Sequence, residues 1–309
     1  MRYIRILFFV LASCSVGYAQ QLPQYSQWSW HQFALNPAHA GIKKCIDIHS
    51  LYRMQWVGFE GAPRSGFFTV SVPLNSKRRA YLSGRHGMGF RFETDRIGNF
   101  HLQRFNLAYA GHFNFDKTNR LSLGIYGGVV QMGYDPLGIH TAEPDPIVQN
   151  EGSFFGADAS FGAWYNATNF YAGLILQNLF PTPWSPIGEN ARFRLHMSLN
   201  GGYRMPLNDR VTFLPNMIIR IPPKGPASVD IQTHLDYNNF LNFGLGYRNT
   251  DAFMAFFQIK FNEQFAIGYS FDYTLSDIQI AAQNTHEFSL RFTTCKPDRT
   301  SNSACPLFE

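Results

Sequence analysis

The stretch "RFRLHMSLNGGYR", residues 192–204, sets Phe193, Leu195, Met197 and Leu199 between Arg192, Arg194, His196, Ser198 and Asn200. Successive side chains of a β-strand point to opposite faces. The run therefore has one greasy face and one polar, basic face. A soluble sandwich would turn the polar face to water. A membrane barrel would turn the greasy face to lipid. The rest of the chain decides between them.

The same period of two recurs at 88–93, 121–125, 155–161, 228–237, 241–248, 265–273 and 286–292. Weaker strands fit 46–57, 66–74, 105–115, 170–178, 211–221 and 252–261. This predicts about fourteen strands, each near the ~9–11 residues that a membrane strand needs. The mature chain has no convincing helical period, and after the leader no run of ~18 apolar residues. A mean hydropathy of -0.19 argues against a helical membrane protein but not a barrel, whose strands average both faces. Charged residues are 15% of the chain against ~25% in soluble domains, while aromatics are 16% with 30 Phe. Few charges and many rings suit a protein whose outside is not all in water.

Connections favour closure. With the first strand starting in the periplasm, the periplasmic turns at 115–119, 166–168, 206–209, 238–239 and 262–264 are short. The outer connections at 58–63, 95–99, 135–152, 179–189, 222–226 and 274–283 are longer and carry most of the prolines. An even strand count, short inner turns and long outer loops predict one transmembrane antiparallel β-barrel with both termini periplasmic. The long inner stretch 75–86 and the tight outer turn at Asn249-Thr250 depart from that pattern. The alternative is a secreted β-sandwich.

The ends bound the domains. Arg2 and Arg5, the apolar run Ile6–Ala12, and small Gly17 and Ala19 read as a signal peptide over 1–19. A rival reading makes Leu11-Ala12-Ser13-Cys14 a lipoprotein signal. A periplasmic segment or plug follows over 20–44, then the barrel over 45–293 and a periplasmic tail over 294–309. Losing Arg2 and Arg5 lowers the formal charge of +5 by two, which is too little and too dispersed for nucleic acid. Cys45, Cys295 and Cys305 remain and suit one disulfide in an oxidising compartment. The pairing is open between Cys45–Cys295 across the barrel seam and the local Cys295–Cys305.

Alternation assigns Arg53, Arg91, Glu93, Arg192, Arg194, His196, Asp230, Asp236, Asp272, Glu287 and Arg291 to the lumen, with Asp158, His234 and Arg248. Such mixed charges suit an aqueous pore or a closed wall of cross-strand pairs. The accompanying small residues favour the closed wall. Trp28, Trp30, Asn36 and Pro37 fall in a segment with more aromatics than a free tail needs. It reads as a plug or as a docking strip for a periplasmic partner. Asp95 and Arg96 fall at an outer hairpin, where Asp and Gly98 suit turn chemistry or contact with cargo. The acids of the 135–151 loop match no calcium spacing, and Lys77, Arg78, Arg79 and Arg85 form a basic periplasmic cluster. There is no GxSxG, HExxH or phosphate loop, and no metal or cofactor set, so catalysis is not expected.

Five blocks carry a resemblance: "PQYSQWSWHQFALNPAHAG" (23–41), "YRMQWVGFEGAPRSGFFTVSVPL" (52–74), "GMGFRFETDRIG" (87–98), "GYSFDYTLSDI" (268–278) and "THEFSLRF" (285–292). In this order the chain resembles the PorP/SprF family of type IX secretion membrane proteins. The stretch 130–225 carries no such block. The resemblance implies an outer-membrane location and a role in type IX secretion and gliding. It also implies partners: periplasmic components of that apparatus, and surface adhesin cargo with a type B sorting domain. The alternative function is a small-solute porin.

Overall fold

In the computed structural model, residues 22–43, 45–74, 84–116, 118–135, 152–183, 192–249, 251–262, 264–280 and 283–294 are described. The leader, Lys77 to Arg79, Cys295, Cys305 and most of the 135–151 loop lie outside them. Among the described residues no helix is long and apolar enough to cross a membrane.

The strands are β1 (Asp47–Met54), β2 (Arg64–Leu74), β3 (Arg85–Ile97), β4 (Phe100–Asn114), β5 (Arg120–Tyr134), β6 (Gly152–Asn166) and β7 (Phe170–Gln177). They continue as β8 (His196–Tyr203, extended by Met205–Pro206), β9 (Val211–Ile221), β10 (Ser228–Tyr237), β11 (Leu241–Arg248), β12 (Ala252–Lys260), β13 (Phe265–Thr274) and β14 (Thr285–Thr293). Each pairs antiparallel with its sequence neighbours, and β1 pairs with β14, Asp47 opposite Thr293 and Met54 opposite His286. The result is a closed 14-stranded antiparallel barrel. Closure removes the unpaired outer edges that an open sheet would present.

Alternation sorts the faces. Along β4, Arg104, Asn106, Ala108 and Ala110 are buried while Phe105, Leu107 and Tyr109 are exposed. Leu107 at 65%, Leu245 at 69% and Leu290 at 58% exposure show the consequence: these large aliphatic side chains lie outside, while Arg53, Arg91, Arg104 and Arg248 lie inside. That inversion of a soluble protein suits lipid as the outer solvent. At one rim the turns are tight. Three residues, 238–240, join β10 to β11; Asn238 and Asn239 take the left-handed region with φ of 53° and 52°, and Phe240 N donates to Tyr237 O at 3.0 Å. At the other rim most connections are long.

The structure corrects the reading of 192–204. The strand starts at His196, not Arg192. Upstream, the chain turns at Asn178 (φ 57°) and folds inward, and Phe193 N donates to Thr182 O at 2.9 Å. Phe193 is buried against Leu102, Val130 and Met132, beneath the Arg104 guanidinium, while Arg192 and Arg194 are exposed. Face parity is enforced by the ladder, and it lapses where the ladder ends. Within β8 the reading holds: Ser198 and Asn200 are buried, Leu199 exposed. The 95–99 outer loop is likewise shorter than expected. Strand β3 runs through Asp95 and Arg96, leaving a turn of Gly98 and Asn99 with Gly98 at φ 56°.

Cys45, just before β1, is disulfide-bonded, and its Sγ lies 3.2 Å from Thr293 Oγ1 on β14. Its candidate partners Cys295 and Cys305 lie outside the described residues.

An arginine placed in lipid by Leu245→Arg should destabilise the barrel by about 2–4 kcal/mol if the site is near mid-bilayer. Urea titration in lipid vesicles measures this. A loss below about 0.5 kcal/mol would mean that this face does not see hydrocarbon.

Candidate functional site

Residues 22–43 lie inside the barrel. The segment forms 3₁₀ turns at Ser26–Trp30 and Pro37–His39 flanking one helical turn at Gln32–Leu35. These pieces are too short to show a helical period, which is why the sequence hides them. Asn36 caps the last turn, its side chain accepting from Ala38 N at 3.0 Å. Trp28 is 1% exposed and Asn36 fully buried, with Pro37 buried beside it; Trp30 is half-buried against His234 and Phe256. These side chains are therefore not displayed as a docking strip. They fill the lumen as a plug.

The plug is held at three levels. Toward the long-loop rim, Ser26 is a hub. Its N–H donates to Glu287 Oε1 at 2.7 Å, and the N–H of Gln27 donates to Oε2 at 3.0 Å. Ser26 Oγ donates to Asp272 at 2.6 Å and accepts from Arg53 at 3.1 Å and Arg248 at 3.2 Å. The wall charges then pair among themselves: Arg53 with Glu287 (2.5 Å) and Asp272 (3.0 Å), and Asp230 with Arg248 (3.0 Å) and Arg220 (2.9 Å). Paired, hydrogen-bonded charges are the form in which buried ions are tolerated.

At mid-height, Arg91 donates to Ala34 O at 2.8 Å and to Asn106 Oδ1 at 2.9 Å, and lies 4.4 Å over the Tyr126 ring. Asn106 passes a hydrogen bond to Asp158 at 2.8 Å, and Arg104 pairs with Glu93 at 3.3 Å. Tyr25 OH donates to Glu93 at 3.3 Å, and burial together with the Glu93 charge raises the Tyr25 pKa well above its ordinary value. Tyr126 OH donates to the Phe33 carbonyl.

Nearer the tight-turn rim, His49 Nε2 lies 2.8 Å from Asp47, and His49 Nδ1 lies 2.7 Å from His31 Nδ1. With His49 donating to the carboxylate through Nε2, neutral rings require His31 to donate to His49. Lys43 and Arg291 close the group on Asp47 at 2.6 and 3.3 Å. The wall also makes room for the plug backbone. A Cβ on Gly124 would stand 2.5 Å from Pro37 C, and one on Gly87 would stand 2.5 Å from Gly41 Cα. Only glycine permits that approach.

Of the residues read as lumenal, Arg53, Arg91, Glu93, Asp230, Asp272 and Glu287 are buried in these networks. Asp236 pairs with Lys260 at 2.9 Å, and Arg291 is partly exposed beside Asp47. Arg192 and Arg194 are exposed and take no part in these charge networks, but Arg194 and the half-buried His196, bonded to Arg194 O at 2.9 Å, line a cavity beside the plug with Arg91 and Glu93. Asp95 accepts from Ser65 Oγ at 2.7 Å within the strand, and exposed Arg96 faces Asp135 at 3.8 Å. The sequence reading missed Ser26, Gln27, Arg104 and Arg220. Arg104 was recoverable, since it continues the inward parity of Asn106; Ser26 carries no periodic signal.

Two results test the plug. Gly124→Val and Glu287→Ala should each unseat it, the latter because it strips the Ser26 and Gln27 N–H groups of their acceptor and buried Arg53 of one of its two carboxylates, and breaking a buried ion pair costs about 3–5 kcal/mol. Protease cleavage within 22–43 should then appear in reconstituted barrels, and uncut variants would refute the seating. The His31 pKa lies well below its ordinary 6.5, first through burial and then through the neighbouring His49. Seating favours the neutral ring, so its stabilisation is complete above pH 6.5 and is lost as pH falls below that value. Acrylamide quenching of Trp28 should rise on acidification. A His31→Phe variant with the same pH response would show that His31 is not responsible.

No curated protein matches this sequence. Among solved structures the fold is similar to a Pseudomonas aeruginosa FadL homologue, at 11% identity over 88% of this chain and 94% of that one, with a TM-score of 0.50. It is also similar to the CymD monoaromatic hydrocarbon channel, at 9% identity over 90% and 94%, with a TM-score of 0.53. At such identities the likeness shows the fold alone. The family model described as type IX secretion system membrane protein PorP/SprF matches residues 17–292. This chain is therefore an outer-membrane β-barrel that belongs to the PorP/SprF family of type IX secretion system membrane proteins.

Proposed function

We propose that the barrel acts as an anchor in type IX secretion and gliding. In this reading it grips exported surface adhesins that carry a type B sorting domain, and it meets periplasmic components of the apparatus at its tight-turn rim. The observation that carries the reading is the plug. Ser26, Gln27 and Arg91 tie the chain's own segment across the lumen, so the binding surfaces left are the rims and their loops. The family is a secretion-system family, not an enzyme family.

One observation favours a small-solute channel as the second reading. A cavity of about 390 Å³ lies beside the plug, with Leu22, Pro23, Leu35, Ile175 and Ile218 next to Arg91 and Arg220. Pockets of this size accept small molecules.

Planar-bilayer recording separates the two readings. The anchor reading predicts no steady conductance from the purified protein, and conductance once residues 22–43 are deleted. It also predicts that affinity isolation from outer membranes recovers exported adhesins and secretion components. Steady open conductance without co-isolated adhesin would favour the channel.

A further inference from the structure

The barrel wall is not of even height. Strands β4, β5 and β6 are 15 residues long, while β1, β7, β8 and β11 have 8. On one side, β6 pairs with β5 along its whole length, Gly152 opposite Tyr134 through Asn166 opposite Arg120. On the other, it pairs with β7 only from Phe161 to Asn166. Residues 152–160, about 30 Å of strand at ~3.3 Å per residue, thus extend past the top of β7.

The described residues of the 178–195 connection cover the lower part of this edge. Leu179 N donates to Ala159 O at 2.9 Å, and Thr182 Oγ1 donates to Ala157 O at 2.6 Å. The chain then turns into the lumen at Phe193. Those two bonds fix the parity: odd-numbered residues of β6 aim their N–H and C=O at the open side. Among the described residues the outward N–H and C=O of Ser153 and Phe155 have no hydrogen-bond partner. Side chains there are exposed on both faces, with Phe154 at 39% and Phe155 at 69%. This part of β6 therefore stands clear of the packed wall.

Exposed edges are normally blunted by lysine, proline, a bulge or a covering element. The run Gly152-Ser153-Phe154-Phe155-Gly156-Ala157 has no charge and no proline. Its β5 ladder continues through it without a bulge, since every residue from 152 to 166 has a single partner. Bare backbone groups, apolar rings on both faces and no gatekeeper are what an added strand requires.

We infer that the free edge of β6, at Ser153 to Phe155, is where the barrel takes an exported protein: an extended segment of the sorting domain adds antiparallel to β6 as a further strand. This inference rests on the anchor reading above and names the place of contact. The edge rises on the long-loop rim, opposite the rim assigned to the periplasm, and so faces the side where cargo would be held. Backbone pairing supplies the attachment. Phe154 and Phe155 flank the added strand on its two faces and select apolar side chains alternating along it.

The test measures binding of an isolated type B sorting domain to the full-length barrel in detergent. Phe155→Pro removes one outward N–H, and Phe155→Ala keeps the backbone. Phe155→Lys installs the missing gatekeeper as a second blocking variant, and heat-modifiable migration checks that each barrel is folded. Binding should weaken roughly tenfold or more with Pro, for the lost interstrand bond and its disturbed neighbour, and also with Lys. Ala should stay within about threefold of wild type, since it keeps both backbone groups. Wild-type affinity in folded Pro and Lys variants would overturn the β6 inference and leave the anchor reading standing. Failure of the wild-type barrel to bind any sorting domain would overturn both.

Discussion

The bond from the Ser26 backbone to Glu287, with its companion from Gln27, is the constraint on which the interior depends. Without the plug, Glu287, Asp272, Arg53 and Arg248 would face an open lumen and water. With it, Ser26 Oγ gives to Asp272 and takes from both arginines. Every partner sits on a different stretch of chain: β1, β11, β13 and β14. Sequence separations of 246 and 261 residues are bridged by one serine. Net stabilisation from buried ion pairs is modest, but removing one member strands the rest. The network therefore fixes where the plug sits more than it adds to overall stability.

Packing follows the same division. The apolar contacts of the plug are small and scattered: Phe33 with Ala108 and Tyr126, Tyr25 with Leu51 and Phe67, Ala38 and Ile42 with Trp164 and Tyr171. The glycines of the wall, Gly87 and Gly124, let the plug backbone touch the sheet directly. A lumen read only from strand alternation looks like a wet, charged channel. Occupied by residues 22–43, the same side chains become a polar core.

The outer half of the fold was legible because lipid imposes a strict rule on it. Leu107, Leu245 and Leu290 alternate with inward residues wherever the hydrogen-bond ladder holds, so strand positions and most face assignments follow from the period alone. Legibility ended where the ladder ends. Phe193 keeps its parity on paper, yet the chain has left the sheet by then and carries it inside. The plug escaped for another reason: its turns are three to five residues long, below the length at which any period shows. Its aromatic content marked it as something more than a tail, but only three-dimensional contact separates a segment folded inward from one offered to a partner. Family membership supplies the secretion context, which no alternation or charge count contains.

In this arrangement the chain's own segment 22–43 occupies the lumen of the barrel in the membrane. Ser29 Oγ lies 3.2 Å from Gln232 Oε1 on β10, so cysteines at these two positions come within reach of a short bifunctional thiol crosslinker. Treatment of a Ser29→Cys/Gln232→Cys variant with such a crosslinker in intact outer membranes, followed by peptide mapping, reads the contact directly. Near-complete crosslinking between residues 29 and 232 is the predicted result. Free thiols at both positions in folded, membrane-inserted barrel would contradict the account.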